Sequence, residues 1–387
     1  MQKTDFFGKK YQECKIGKIA YIAKEKPITL SSGESLSNIP VAYQTYGKLN
    51  HDKSNVILLG HPLTADQYAA NKHPVTGKPG WWQHLIGRDL AIDTNKFFVI
   101  CANVLGGCMG SHGPKELNPD TKKPYALDFP IVTICDMVKV QKQFLEEFFA
   151  IEKIFALIGG SMGGMLALEW AAKYPETVDS VISVASAAKH TAQNIAFHEI
   201  GRQAIMADQN WHQGNYINKK SFPEKGLAIA RMAAHVTYLS EDALAEKFGR
   251  NLQDKNCPSY GFNIDFQIES YLHHQGMSFV DRFDANSYLY ITRAMDYFDL
   301  AAENEGNLSL AFKNSEQVKF CIISFSDDWL FPTSESKAIL NALNFVGARA
   351  SFAQIKSDRG HDSFLLKNQE FATVMNSFLE GNYALRS

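Results

Sequence analysis

The chain has 387 residues, of which 45% are hydrophobic and 21% charged, and its formal net charge is -2. This is an ordinary enzyme composition, long enough for one large core with an inserted or appended domain. Without a Lys/Arg-rich run, nucleic acid and anionic membrane are poor partners, and no stretch reaches the ~18 apolar residues of a membrane span.

In chain order, the first eight residues lack the apolar core of a signal peptide, so a cytoplasmic protein is expected. The six cysteines, among them Cys14, Cys101 and Cys321, are scattered without a C-x-x-C pair, as for reduced, mostly buried thiols. Residues 41–47 read as an edge strand ending in a glycine turn. Residues 55–60 and 97–102 are continuous apolar runs of strand length, the mark of buried parallel strands. Cys108 stands in a glycine-rich segment, 105–110, where a structural role is expected. Residues 133–149 have helical spacing, with Ile134, Met137, Val138, Gln141, Leu145 and Phe148 near one face. Residues 155–160 form another apolar run, and 178–184 and 318–325 supply two more strands. Between 188 and 298 strand-type runs vanish and the texture is helical, with examples at 226–235 and 242–249. The expected architecture is α/β, a mainly parallel sheet flanked by helices, with its core in 1–187 and 299–387 and an all-helical lid inserted at 188–298.

The chemistry centres on Gly159-Gly160-Ser161-Met162-Gly163, where an apolar strand runs into G-x-S-x-G and a helix-forming stretch follows. That order is a nucleophile elbow, a sharp strand-to-helix turn that lifts a serine hydroxyl out of the sheet edge. A serine hydroxyl needs a base, and the base needs an orienting carboxylate. In the order Ser, acid, His, the candidates are Asp327 or Asp328, just past a strand, and His361 on a glycine-hinged loop before a helical stretch. Asp328 is preferred because it lies four residues before Pro332, leaving Asp327 to cap or solvate the same turn. The oxyanion hole is expected from the N–H groups of Met162 and Leu63, since Pro62 has none. His61, beside that loop, is expected to give a supporting hydrogen bond. No metal-ligand spacing and no nucleotide-binding glycine motif occurs, so no metal or cofactor is expected.

Several of these segments resemble the homoserine O-acyltransferase branch of the α/β-hydrolase superfamily. They include residues 103–114, 159–170, 201–205, 238–240, 282–290, 328–332 and 360–362, and the resemblance runs from about residue 10 to 380. It implies an α/β-hydrolase fold and a ping-pong reaction, in which Ser161 takes an acyl group from acyl-CoA as co-substrate and passes it to the hydroxyl of L-homoserine, on the route to methionine. Acetyl is the expected acyl group. The alternatives are succinyl-CoA as donor, serine as acceptor, ester hydrolysis, or a non-enzymatic binding module. It further implies that Arg231 and Tyr238, seven residues apart, line the substrate tunnel. Arg231 would hold the substrate carboxylate and Asp362 its amino group. A homodimer joined through the lid is also implied. The chain departs from the resembled pattern at Pro62 and Ala65, where His-Ala-Leu-Thr-Gly is usual, and at His112, where Thr or Ser is expected.

Overall fold

The computed structural model of the chain describes residues 17–386; the leader reading and Cys14 lie outside them. Eight strands build the main sheet: β1 (Lys18–Ile22), β2 (Ile39–Tyr46), β3 (Val56–Gly60), β4 (Phe98–Ala102), β5 (Ala156–Gly160), β6 (Ser180–Val184), β7 (Lys319–Phe325) and β8 (Arg349–Ile355). Their order across the sheet is β1-β2-β4-β3-β5-β6-β7-β8. The two pairings of β2 are antiparallel, and from β4 onward every pairing is parallel.

Two hydrophobic clusters explain why the central strands read as unbroken apolar runs. Leu58, Ile100, Leu157 and Val181 point into one cluster, and Ile57, Leu59, Val99, Ile158 and Ile182 into the other. With side chains alternating across the sheet and both faces covered, every position in a central strand is buried. The first cluster takes in helices α1 (Ile134–Phe149) and α2 (Met162–Lys173), and the second takes in Phe371, Met375 and Leu379 near the C-terminus.

Three local readings change. The strand at 41–47 lies inside the sheet, because β1, whose burial pattern alternates as one face meets solvent, forms the edge beyond it. On α1, capped by Thr133 with a reciprocal bond from Asp136, the residue that enters the core is Phe144, while Phe148 is 47% exposed. The loop expected at His361 is a short 3-10 helix, Gly360–Leu365.

Between β6 and β7 the chain passes through α3 (Ala192–Ala207), α4 (Glu224–Tyr238), α5 (Glu241–Lys247), α6 (Gln267–Val280) and α7 (Ala285–Asp296). Helix α4 packs on both α3 and α6. No strand of the main sheet interrupts this segment.

Candidate active site

The site stands where the parallel strands end, the usual position of ligands in an α/β sheet. β5 delivers Ser161, β3 delivers residues 61–64, β7 leads to Asp328 and β8 to His361. Ser161 has φ 57° and ψ -123°, a strained backbone for a non-glycine residue, worth about 1–3 kcal/mol. Close backbone packing holds it there. A Cβ on Gly159 would fall on the carbonyl of Gly163, and one on Gly163 would fall on the carbonyl of Gly60. The glycines of the elbow are therefore demanded by contact between β3, β5 and the start of α2.

His361 Nε2 lies 2.9 Å from Ser161 Oγ, and His361 Nδ1 lies 2.7 Å from Asp328 Oδ2. A carboxylate only accepts, so Nδ1–H donates to Asp328 and the Nε2 lone pair accepts the serine proton. All three residues are buried. The other oxygen of Asp328 accepts from the N–H groups of Leu330 at 3.0 Å and Phe331 at 2.9 Å, which locks the carboxylate in place. Asp327 neither reaches His361 nor caps this turn; that bonding belongs to Asp328, and Asp327 Oδ2 has no hydrogen-bond partner among the described residues.

Met162 is the first residue of α2, so its N–H has no partner within the helix and the helix dipole points at Ser161. Leu63 lines the same small cavity as Ser161. His61 organises the loop between them. Its Nδ1–H donates to the Pro62 carbonyl at 2.9 Å, and its Nε2 accepts the Val104 N–H at 3.1 Å. Burial pushes its pKa down, consistent with a neutral ring spent on two structural bonds. Ala65 closes a turn onto the Pro62 carbonyl and is not among the residues with positive φ, so a glycine is not required there. Buried His112 packs edge-on against Tyr125 and Phe129, with its pKa pushed down by burial to about 4. Burial lifts the Cys108 thiol to about 12, which leaves it protonated and unreactive near neutral pH.

Arg231 and Tyr238 both lie on α4, two helical turns apart and so on one face. The Arg231 guanidinium sits 5.3 Å from the Tyr238 ring centre and 4.8 Å from that of Phe279, and it donates to Thr64 Oγ1 at 3.2 Å. The Tyr238 ring centre lies 6.1 Å from that of His361. Burial raises the pKa of Asp362, a rise that Arg231 and then His361 partly offset. A carboxyl group so placed is short of positive charge, which an ammonium group would supply.

Arg282 received no role from the sequence, although its segment was among those carrying the resemblance. It donates to the Thr64 carbonyl at 2.6 Å, so two guanidinium groups clamp the residue after Leu63. Burial first, and then the charge of Arg231, lower its pKa to about 10, which still leaves it cationic at neutral pH. Arg231 and Arg282 share a cleft of about 220 Å³ with Lys78 and with His73 and Asp66, which lie in hydrogen-bond contact 2.8 Å apart. No spacing rule would have found Arg282, because its partner lies 218 residues away.

Comparison with known proteins now bears on this geometry. The family described as alpha/beta hydrolase fold matches residues 56–368. A homoserine O-acetyltransferase of Mesorhizobium japonicum is 60% identical over 355 residues, covering 92% of this chain and 91% of that protein. The crystal structure of a homoserine O-acetyltransferase from Bacillus anthracis superposes with a TM-score of 0.85 at 28% identity, covering 94% of this chain and 96% of that one. A crystallised esterase superposes with a TM-score of 0.84 at 32% identity, covering 94% and 99%.

Proposed function

The chain belongs to the homoserine O-acetyltransferase family within the α/β-hydrolase fold, and from that premise we propose that it transfers acetyl from acetyl-CoA to the hydroxyl of L-homoserine through an acyl-serine. The observation that carries the mechanism is the hydrogen-bonded relay from Ser161 through His361 to Asp328. In the first half-reaction His361 Nε2 takes the Ser161 proton as Oγ attacks the thioester carbonyl. The oxyanion is met by the N–H groups of Met162 and Leu63. As the C–S bond breaks, His361 returns the proton to the departing CoA sulfur. In the second, His361 deprotonates the homoserine hydroxyl, which attacks the acetyl-serine, and Ser161 leaves with the proton.

Arg231 grips the substrate carboxylate with its planar fork, Asp362 pairs with the ammonium, and Tyr238 lines the wall between them. The cleft holding Arg231 and Arg282 offers the positive charge suited to an anionic CoA arriving from solvent. CoA serves as co-substrate, and no resident cofactor or metal takes part. We place the core in 1–187 and 299–387 and a lid at 188–298. We also place the protein in the cytoplasm as a homodimer joined through that lid. Exposed Ile200 on α3, Ile229 and Val236 on α4, and Met277 on α6 supply the apolar surface such an interface needs. The described cysteines are all free, as a reducing compartment requires.

Pure enzyme given acetyl-CoA should release CoA rapidly with L-homoserine, and far more slowly with L-serine or water as acceptor. O-acetyl-homoserine should appear by mass in step with CoA. Equal CoA release with and without an amino acid would make the protein an esterase instead. Arg231→Ala should raise the homoserine KM by about 100-fold through loss of a charge-assisted bidentate contact, with little change in the acetyl-enzyme burst. A parallel collapse of burst and turnover would argue that Arg231 holds the fold and not the substrate.

A further inference from the structure

The loops that carry the acid and the base of the relay are both bonded to one short segment of the inserted helices, residues 239–240 between α4 and α5. Trp329, next to Asp328, donates its Nε1–H to the Leu239 carbonyl at 2.9 Å. Leu239 has left the helix, with φ -107° and ψ 149°, so its carbonyl is not part of the helical ladder. Buried Ser240 donates through Oγ to the carbonyl of Asp358, shortly before His361, at 2.8 Å. The same oxygen accepts the Ala243 N–H at 3.1 Å, as the N-cap of α5.

The backbone just before His361 rests on the same segment. Gly360 has φ 64°, and a Cβ there would lie 2.6 Å from Ser240 N and 2.9 Å from the Tyr238 carbonyl oxygen. Glycine alone meets both the left-handed backbone and the close approach. Within the turn, Ser363 Oγ donates to the Gly360 carbonyl at 2.6 Å. Toward solvent the loop has little else to hold it. Asp358 is exposed, and Arg359 meets Glu246 of α5 at 3.5 Å in an exposed, weak ion pair. Helix α4 also carries Arg231, which donates to Thr64 Oγ1 beside Leu63. One helix and the turn after it therefore touch the loops of the oxyanion donor, the acid and the base.

We propose that Ser240 and Trp329 are positioning residues for the relay: through Asp358 and Leu239 they tie the His361 loop and the Asp328 turn to one point on the inserted helices and so hold base and acid in register. The inference rests on the acyltransferase reading above and adds what aligns its machinery. His361 must keep Nε2 at 2.9 Å from Ser161 Oγ and Nδ1 at 2.7 Å from Asp328 Oδ2 at once. A small displacement of its loop lowers the rate while leaving the substrate contacts in place. His361 moves the proton in both half-reactions, so a slack loop slows both by the same factor. The fall then appears in kcat and not in the homoserine KM. A hydroxyl that merely capped α5 would affect stability alone.

Ser240→Gly separates the two tasks of the hydroxyl, because glycine caps a helix nearly as well as serine but donates nothing to Asp358. It should lower kcat and the acetyl-enzyme burst rate by about tenfold each, with the homoserine KM within about twofold and the denaturant midpoint near that of the wild type. Ser240→Thr keeps the hydroxyl and should recover most of the rate. Trp329→Phe keeps an aromatic ring, loses the N–H, and should lower both rates by about threefold. An unchanged kcat in Ser240→Gly, or a loss confined to the homoserine KM, would overturn the proposal. If the Ser240 variants do not fold, Trp329→Phe decides it, and an unchanged kcat there overturns it. Cleavage of 4-nitrophenyl acetate, which needs the relay but no amino acid, is followed in parallel and should fall by the same factors. A wild type that cleaves this ester yet forms no O-acetyl-homoserine would defeat the acyltransferase reading, while the ester rates of the variants would still decide this one.

Discussion

Ser161→Ala is expected to lower acetyl transfer from acetyl-CoA to homoserine by about 10⁵–10⁶-fold, the loss typical of removing the nucleophile from a serine triad. Intact-mass measurement after mixing with acetyl-CoA should find the acetyl adduct on the wild type and none on the variant. Oγ contributes no capping hydrogen bond to α2, so the substitution should leave the fold in place. A methyl at this strained position keeps the same backbone, which circular dichroism and the denaturant midpoint can verify. Turnover above about one per cent of wild type would mean that another group accepts the acetyl, or that homoserine attacks the thioester directly.

Asp328→Asn should cost about 10⁴-fold in kcat, because an amide can turn its NH₂ toward His361 and favour the wrong tautomer. The substitution is informative because Asn can still accept the Leu330 and Phe331 N–H bonds that shape the turn. Lost activity with retained stability then reports on the proton relay. Asp327→Asn is the control, with an expected change within about threefold, because this side chain makes no hydrogen bond to the relay. Comparable losses from both variants would shift the cause from the tautomer of His361 to the turn as a whole.

Most of the sheet was legible because its central strands are buried on both faces and so carry no polar interruption. β1 and β8 escaped for the opposite reason. Each lies at an edge with a partly exposed face, and its mixed pattern resembles loop. The misplaced edge follows from this, since 41–47 was read as outermost when the strand beyond it had not been seen. Phe148 shows a second limit. Helical spacing defines a stripe, and its margin is decided by what packs there, which for α1 admitted Phe144 and left Phe148 half in solvent.

The site divides along the same line. Ser161, its glycines and the N–H of Met162 belong to one contiguous stretch, so local chemistry alone requires an elbow there. The order Ser, acid, His named Asp328 and His361 as candidates, and the family resemblance brought in Arg231, Tyr238 and Asp362. The sequence preferred Asp328 over its neighbour, and the tertiary structure brings that carboxylate to the imidazole, with Oδ2 2.7 Å from His361 Nδ1. Tertiary structure alone brought Arg282 to Thr64. The Arg282 contact joins segments 218 residues apart, and it follows from how an inserted bundle of helices settles on a sheet. A nucleophile is written in a turn; the walls that choose what it reacts with are made by packing.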